Sequence, residues 1–234
     1  MTVLLVTGTD TGVGKTIVTA AVAAAAGAAG LRVAVVKPAQ TGVGAGEESD
    51  VDTVRRLAAP DTAVTLSEYP DPLAPLAAAR VSGRPAPVLP SVVRAVSELA
   101  ETHDLVLVEG AGGLLVPLGH GWTAADLAVA LRAPAVVVVR AGLGTLNHTA
   151  LTLEALARRD ITARVAIGSW PAMPELVHRA NLDDLPGELA GVVPEDAGRL
   201  PGFRSHARDW LAPSLYGRFD AAAFRSERRA RVEV

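Results

Sequence analysis

Residues Val3–Gly30 read VLLVTGTDTGVGKTIVTAAVAAAAGAAG, and the order of chemistry in that stretch decides the architecture. A short apolar run, Val3-Leu4-Leu5-Val6, gives way to the glycine-rich GTDTGVGKT of Gly8–Thr16 and then to an alanine-rich run from Ile17 to Ala29. Strand, tight turn and helix in this order make a cradle for an anion, because the backbone N–H groups of the turn and the positive end of the helix point at one place. Lys15 then reaches the terminal phosphates of a nucleotide, and Thr16 offers its hydroxyl to a magnesium ion. Gly12, Val13, Gly14 and Ile17 complete the phosphate-binding set. The spacing departs by one residue from G-x4-G-K-[ST]: counting back from Gly14 puts Thr9 at the first position and leaves Gly8 one place early. The strand–loop–helix setting carries the assignment despite that shift.

Half of the 234 residues are hydrophobic but only 3% are aromatic, a balance that suits helices packed closely on a valine-rich sheet better than an aromatic sandwich. The chain is read as one domain over 1–234 with a C-terminal tail from about residue 221. A formal charge of −3 gives no general attraction for nucleic acid or an anionic membrane, so any polyanion must be held locally. The absence of cysteine excludes disulfides, thiolate catalysis and cysteine-ligated metal centres. The N-terminus carries no basic segment and reads as a strand, not a signal peptide. No stretch reaches the ~18 apolar residues that span a bilayer. A soluble, cytoplasmic protein is expected.

Further along, Arg32–Pro38 (RVAVVKP) reads as a second buried strand that delivers Lys37 to the carboxyl edge of the sheet, where open α/β proteins bind ligands. The first and second strands are expected to be neighbours. A glycine-rich, acidic stretch follows, read as a mobile loop, with a helix N-cap near Ser49 or Asp50 and a short helix over Val51–Ala58. The proline-dotted region Pro60–Pro90 reads as surface elaboration around a helix at Ala74–Val81. Ser91–Glu101 has helical spacing, and Leu105–Val108 is a strand with Glu109 at its end. Thr123 and Asp126 form a capping-box-like start to a helix reaching Leu131. Next come a strand at Ala135–Val139, a turn at Gly142–His148 into a helix to about Arg158, and a strand near Val165–Ile167. A turn at Gly168–Pro171, a helix near Pro174–Asn181 and a strand at Leu189–Val193 follow. Strands alternating with helices predict a three-layer α/β/α fold with a mostly parallel sheet, of the P-loop NTPase kind. Trp210 and Leu211 are expected to pack back on the body, and the closing RSERRARVEV, with its interleaved charges, reads as a solvated tail.

Four segments then narrow the choice. GTDTGVGKT at Gly8–Thr16, KPAQTG at Lys37–Gly42, VEGAGG at Val108–Gly113 and LGTLNH at Leu143–His148 together, and in this order, resemble the dethiobiotin synthetases of biotin synthesis. The resemblance implies magnesium- and ATP-dependent carboxylation of 7,8-diaminononanoate by carbon dioxide, through a carbamate and a carbamic-phosphoric anhydride, to a cyclic urea. The alternative within the same superfamily, a nucleotide-dependent switch of the partitioning type, carries a signature lysine where this chain has Asp10.

Carried over residue by residue, the resemblance gives Lys37 the carbamate and the transferring phosphoryl group, and Lys15 the nucleotide. It implies Thr16, Asp50 and Glu109 as magnesium ligands, with Gly110, Ala111 and Gly112 beside the nucleotide. Thr11 and Thr41 become hydrogen-bond donors to substrate; serine is the commoner family residue at the second of these. Gly144, Thr145, Leu146 and Asn147 match the helix start whose N–H groups hold the substrate carboxylate from the partner subunit, which implies a homodimer with shared sites. His148 reads as structural. Where many relatives have Asn-Asp for the base, this chain has Gly168 and Ser169, so relaxed base selection is expected, with CTP or another nucleotide accepted and Pro194, Glu195 and Asp196 lining the other side.

Overall fold

The computed structural model describes residues 2–44 and 46–230. Among the described residues seven strands form the central sheet: β1 (Thr2–Gly8), β2 (Val33–Lys37), β3 (Thr62–Thr65), β4 (Leu105–Glu109), β5 (Ala135–Val139), β6 (Ala163–Trp170) and β7 (Leu189–Pro194). Their spatial order is β7-β6-β5-β1-β4-β2-β3, and every pairing is parallel. The expected adjacency of the first two strands is therefore corrected: β4 lies between β1 and β2 and brings its terminal Glu109 between the two lysine-bearing ends. Register aligns those ends, with Val6 opposite Glu109 and Val36 opposite Val108.

Because strand side chains alternate, the valine-rich strands feed two cores. Leu4, Val6, Val33, Val35, Leu107 and Val138 meet α1 (Lys15–Ala28), α2 (Asp50–Ala58) and α8 (Phe203–Trp210) on one face. Leu5, Val36, Val106, Val108, Val137 and Val139 meet α4 (Leu89–Thr102), α5 (Ala124–Leu131), α6 (Thr145–Ala157) and α7 (Leu176–Asp184) on the other. Ala20 to Ala26 of α1 are all buried, since that helix is walled by the sheet, α2 and α8 together. Small side chains let three neighbours approach one helix at native packing density.

Local signals place the elements. Ser49 is the N-cap of α2, its hydroxyl accepting from the Asp52 N–H at 3.1 Å. Thr123 and Asp126 close the capping box of α5, the Thr123 N–H donating to Asp126 Oδ2 at 2.8 Å. Helix α1 starts two residues earlier than its apolar run, at Lys15 itself.

Three expectations change. The Pro60–Pro90 region is not only surface elaboration: Thr62–Thr65 is the edge strand β3, and α3 (Pro75–Ser82) follows a segment that walls the cleft holding Lys15 and Lys37. Gln40–Thr41 pairs with Glu68–Tyr69, so the glycine-rich loop leaves from a small second sheet; Ala45 of that loop lies outside the described residues. Gly168, Ser169 and Trp170 are not a turn but the last residues of β6.

The tail is corrected as well. Ala221–Ala230 is a helix, α9, in which Ala221 and Phe224 fall on one face and pack on the α7-side core. Phe224 meets Trp170 edge-on at 5.5 Å, Arg225 Nε donates to the Leu182 carbonyl at 3.1 Å, and the Arg228 guanidinium stands 4.5 Å from the Phe224 ring centre. Long arginine stems cover apolar surface while their charges stay wet, which is why a charge-rich stretch docks. Residues 231–234 of the expected tail lie outside the described residues.

Candidate active site

The carboxyl rim of β1, β2 and β4 opens into a cleft of about 590 Å³ lined by Thr11, Gly12, Gly14, Lys15, Thr16, Ile17, Lys37, Thr41, Asp50, Glu109, Ala111 and Gly112. They arrive on several elements. The loop after β1 supplies Thr11 to Gly14, the first turns of α1 supply Lys15 to Ile17, β2 ends on Lys37, α2 begins on Asp50, and β4 ends on Glu109.

At the floor, Lys37 is 3% exposed and its ammonium is fully engaged, 2.6 Å from Asp50 Oδ2, 2.8 Å from Glu109 Oε1 and 3.1 Å from the Gly110 carbonyl oxygen. The Thr16 hydroxyl oxygen lies 3.0 Å from Asp50 Oδ1 and 2.9 Å from Glu109 Oε1. Burial works to lower the pKa of Lys37, but Glu109 and Asp50 outweigh it and the net shift is upward. For Asp50, burial pushes upward and the adjacent Lys37 more than offsets it, leaving the carboxyl below its usual range. Lys15, whose ammonium donates to the Asp10 carbonyl at 2.8 Å, is pushed down to about 8, by burial first and by the Lys37 charge second.

A hydroxyl with a hard carboxylate within 3.0 Å on each of two sides suits a magnesium ion, which prefers oxygen and keeps much of its water. Among the described residues no group of three or more His, Asp or Glu could hold a metal, so a cation here would draw its remaining ligands from phosphate and water. Backbone donors, two ammonium groups and a carboxylate pair facing one cleft can hold a polyphosphate and neutralise charge that develops as a phosphoryl group moves.

The one-residue shift in the glycine loop has a steric reading. A Cβ at Gly8 would fall 2.8 Å from Val13 Cγ2, so glycine is needed there. Gly14 holds φ +93°, and a Cβ on it would meet the Gly168 carbonyl oxygen at 2.6 Å, while one on Gly168 would meet the Val13 carbonyl oxygen at 2.0 Å. The loop backbone thus rests directly on β6. Val13 is buried beneath the loop, and Gly110 takes part through its backbone oxygen.

Other expected residues lie away from this cleft. Gly168 is buried under the loop and Ser169 is exposed beside it, with Pro194 half-buried and Glu195 and Asp196 exposed at the end of β7. Gly144, Thr145, Leu146 and Asn147 form the start of α6; Gly144 and Asn147 are exposed, Thr145 is buried and Leu146 packs on the core. Sequence reasoning missed Gln40, whose Oε1 accepts from the Asp50 N–H at 3.2 Å, and the Asp10 carboxylate, which pairs with Arg140 at 2.6 Å. It also missed the wall at Pro72, Leu73, Ala74 and Pro75. Gln40 sits inside the quoted KPAQTG segment, and that was its only signal.

A parallel sheet with a Gly-Lys-Thr loop between its first strand and first helix, and a carboxylate ending the neighbouring strand, defines a P-loop NTPase. A family model described as "AAA domain" matches residues 2–198. The ATP-dependent dethiobiotin synthetase of Saccharopolyspora erythraea is 58% identical over 226 residues, covering 94% of this chain and 99% of that protein. The enzyme of that name from Parafrankia sp. is 56% identical over 233 residues, covering 96% and 98%. The chain belongs to the dethiobiotin synthetase family. Among solved structures, the cell division protein MinD of Aquifex aeolicus superposes with a TM-score of 0.52 at 18% identity, covering 100% of this chain and 97% of that one. The septum site-determining protein MinD of Pyrococcus horikoshii, solved with Mg-ADP, gives 0.53 at 15%, covering 97% and 93%. These two likenesses are of fold.

Proposed function

We propose that this protein is an ATP-dependent dethiobiotin synthetase acting as a single domain in the cytoplasm. It joins carbon dioxide to 7,8-diaminononanoate and closes the cyclic urea, releasing ADP and phosphate. The observation that carries the reading is the convergence of Lys15, Lys37, Thr16, Asp50 and Glu109 on one end of one cleft.

One amine of the diamine takes up carbon dioxide as a carbamate with loss of a proton. A carbamate oxygen then receives the γ-phosphoryl group, and ADP leaves. The neighbouring amine attacks the carbamoyl carbon and expels phosphate as the ring closes. Negative charge collects on carbamate and phosphoryl oxygens throughout, so Lys37 and Lys15 stabilise the transition state electrostatically. Thr11 and Thr41, both on the cleft wall, orient the amine and carbamate. A magnesium ion on Thr16, Asp50 and Glu109 would supply the charge neutralisation that a triphosphate requires.

The start of α6 receives the substrate carboxylate for the partner's site, giving a homodimer with shared sites. Supporting this, Gly144 is exposed at that helix start and Leu143, beside it, is 84% exposed. Base selection is relaxed. In support, Gly168 has no side chain to read a base edge, and the contact with Val13 leaves no room for one.

Incubating purified protein with diaminononanoate, bicarbonate, magnesium and ATP should yield the cyclic urea by mass analysis, and Lys37→Ala should abolish it with nucleotide binding retained. Near-normal turnover by that variant would remove Lys37 from the mechanism. With ATP, CTP and GTP at matched concentrations the rates should fall within about tenfold of one another; a large preference for ATP rejects relaxed selection.

A further inference from the structure

We infer that Lys37 is the built-in counterion of Asp50 and Glu109, and that it competes with the divalent cation for those two carboxylates. The inference rests on the proposed metal role of Thr16, Asp50 and Glu109 and adds a condition to the chemistry of Lys37. An ammonium has three donors. All three are spent here, on Asp50 Oδ2 at 2.6 Å, Glu109 Oε1 at 2.8 Å and the Gly110 carbonyl at 3.1 Å, in a position 3% exposed. Glu109 Oε1 is also the oxygen that the Thr16 hydroxyl approaches, at 2.9 Å, and Thr16 stands 3.0 Å from the other Asp50 oxygen. The ammonium therefore shares Glu109 Oε1 with Thr16 and holds the second oxygen of Asp50, so it sits on the same two carboxylates that a cation held by Thr16, Asp50 and Glu109 would use.

Two consequences follow from charge and donor count. A divalent ion taking those oxygens removes two of the three partners of Lys37 and repels it, so the ammonium must turn toward the cleft to find new acceptors. Until that happens Lys37 has no donor left for a carbamate. The catalytic lysine is thus inactive by hydrogen-bond saturation before loading and is freed by loading. Without Lys37 the same carboxylates would lose their contacting counterion and keep only the charge of Lys15, which makes no hydrogen bond to either among the described residues; that disfavours the fold but favours metal.

Lys15 and Lys37 are the only lysines in the chain, which makes the idea measurable in two ways. Manganese binding without nucleotide, followed by the spin-resonance signal of the free ion, should be at least about tenfold tighter in Lys37→Met than in the unaltered protein. Asp50→Asn should weaken it. Binding that needs Asp50 but is no tighter in Lys37→Met overturns the competition and leaves the metal assignment standing. Binding undiminished by Asp50→Asn overturns both. Should Lys37→Met fail to fold, protein labelled with nitrogen-15 at the lysine ammonium decides the matter, since it gives two side-chain signals. Saturating magnesium should speed proton exchange at the Lys37 ammonium by at least about tenfold, and an unchanged rate overturns the competition.

Discussion

Lys15 and Lys37 face the same cleft with opposite electrostatic fates. Lys37 has two carboxylates in direct contact, whereas among the described residues Lys15 has only the Asp10 carbonyl within hydrogen-bond reach and is pushed down to about 8. Above that pH the free protein loses the Lys15 charge, and bound phosphates would restore it. Nucleotide binding is therefore expected to take up about half a proton near pH 8 and almost none near pH 6.5, with affinity falling as pH rises through 8. Calorimetry in buffers of different ionisation enthalpy measures the uptake, and equal values at both pH values would show that Lys15 does not meet phosphate. The sign for the nucleotide-free fold is the reverse of the usual lysine case. Between about 8 and 10.5 the unfolded chain holds a proton that the folded chain has lost, so stability rises with pH across that window. That Lys15, Thr16, Lys37 and Glu109 share one cleft was legible in the sequence because they stand at strand and helix ends on the carboxyl rim of the sheet. The Asp10 and Gly110 carbonyls were not, since a backbone acceptor leaves no residue-type signature.

The contact between the glycine loop and β6 governs the site as a unit. Gly168→Ala would drive a methyl group to 2.0 Å from the Val13 carbonyl oxygen and 2.7 Å from Cγ1 of the buried Val138, so loop backbone and a packed, branched side chain both resist it. It should destabilise the fold by about 1–3 kcal/mol and weaken nucleotide binding by at least about tenfold. Gly27→Ala, at an exposed position of α1 with nothing within 4 Å of the added carbon, is the control and should stabilise by about 0.5–1 kcal/mol. Urea unfolding and nucleotide titration distinguish the two; intact nucleotide affinity in Gly168→Ala would mean that the loop can move off β6 at little cost. This contact also explains a misreading. Gly168 and Ser169 before Trp170-Pro171 carry turn punctuation, yet the glycine serves a close approach inside a strand. Edge strand β3 escaped for another reason: Thr62-Ala-Val-Thr65 is short and only Ala63 is buried, so it lacks the continuous apolar run that marked the inner strands.

At the scale of the molecule, the question is whether one chain holds a whole site. The cleft gathers both lysines and the carboxylates from within the chain, but the start of α6 does not line it. A site built from Lys37 of one subunit and α6 of its partner makes a specific demand on mixtures. Lys37→Ala removes the first half, and Gly144→Asp places a carboxylate where the substrate carboxylate should dock; φ at that residue is +88°, in the region that aspartate tolerates better than most side chains. Each variant alone should be inactive. In a heterodimer of the two, one site carries both lesions and the other carries neither. Random pairing makes about half of the dimers mixed and about half of the sites in those dimers intact, so an equal mixture should recover about a quarter of the unaltered activity. Co-expression with two different affinity tags isolates the mixed dimer, whose turnover per dimer should be about half that of the unaltered enzyme. No recovery in that species would mean that each site is completed within a single chain, and α6 would lose its role while the lysine and carboxylate floor kept theirs.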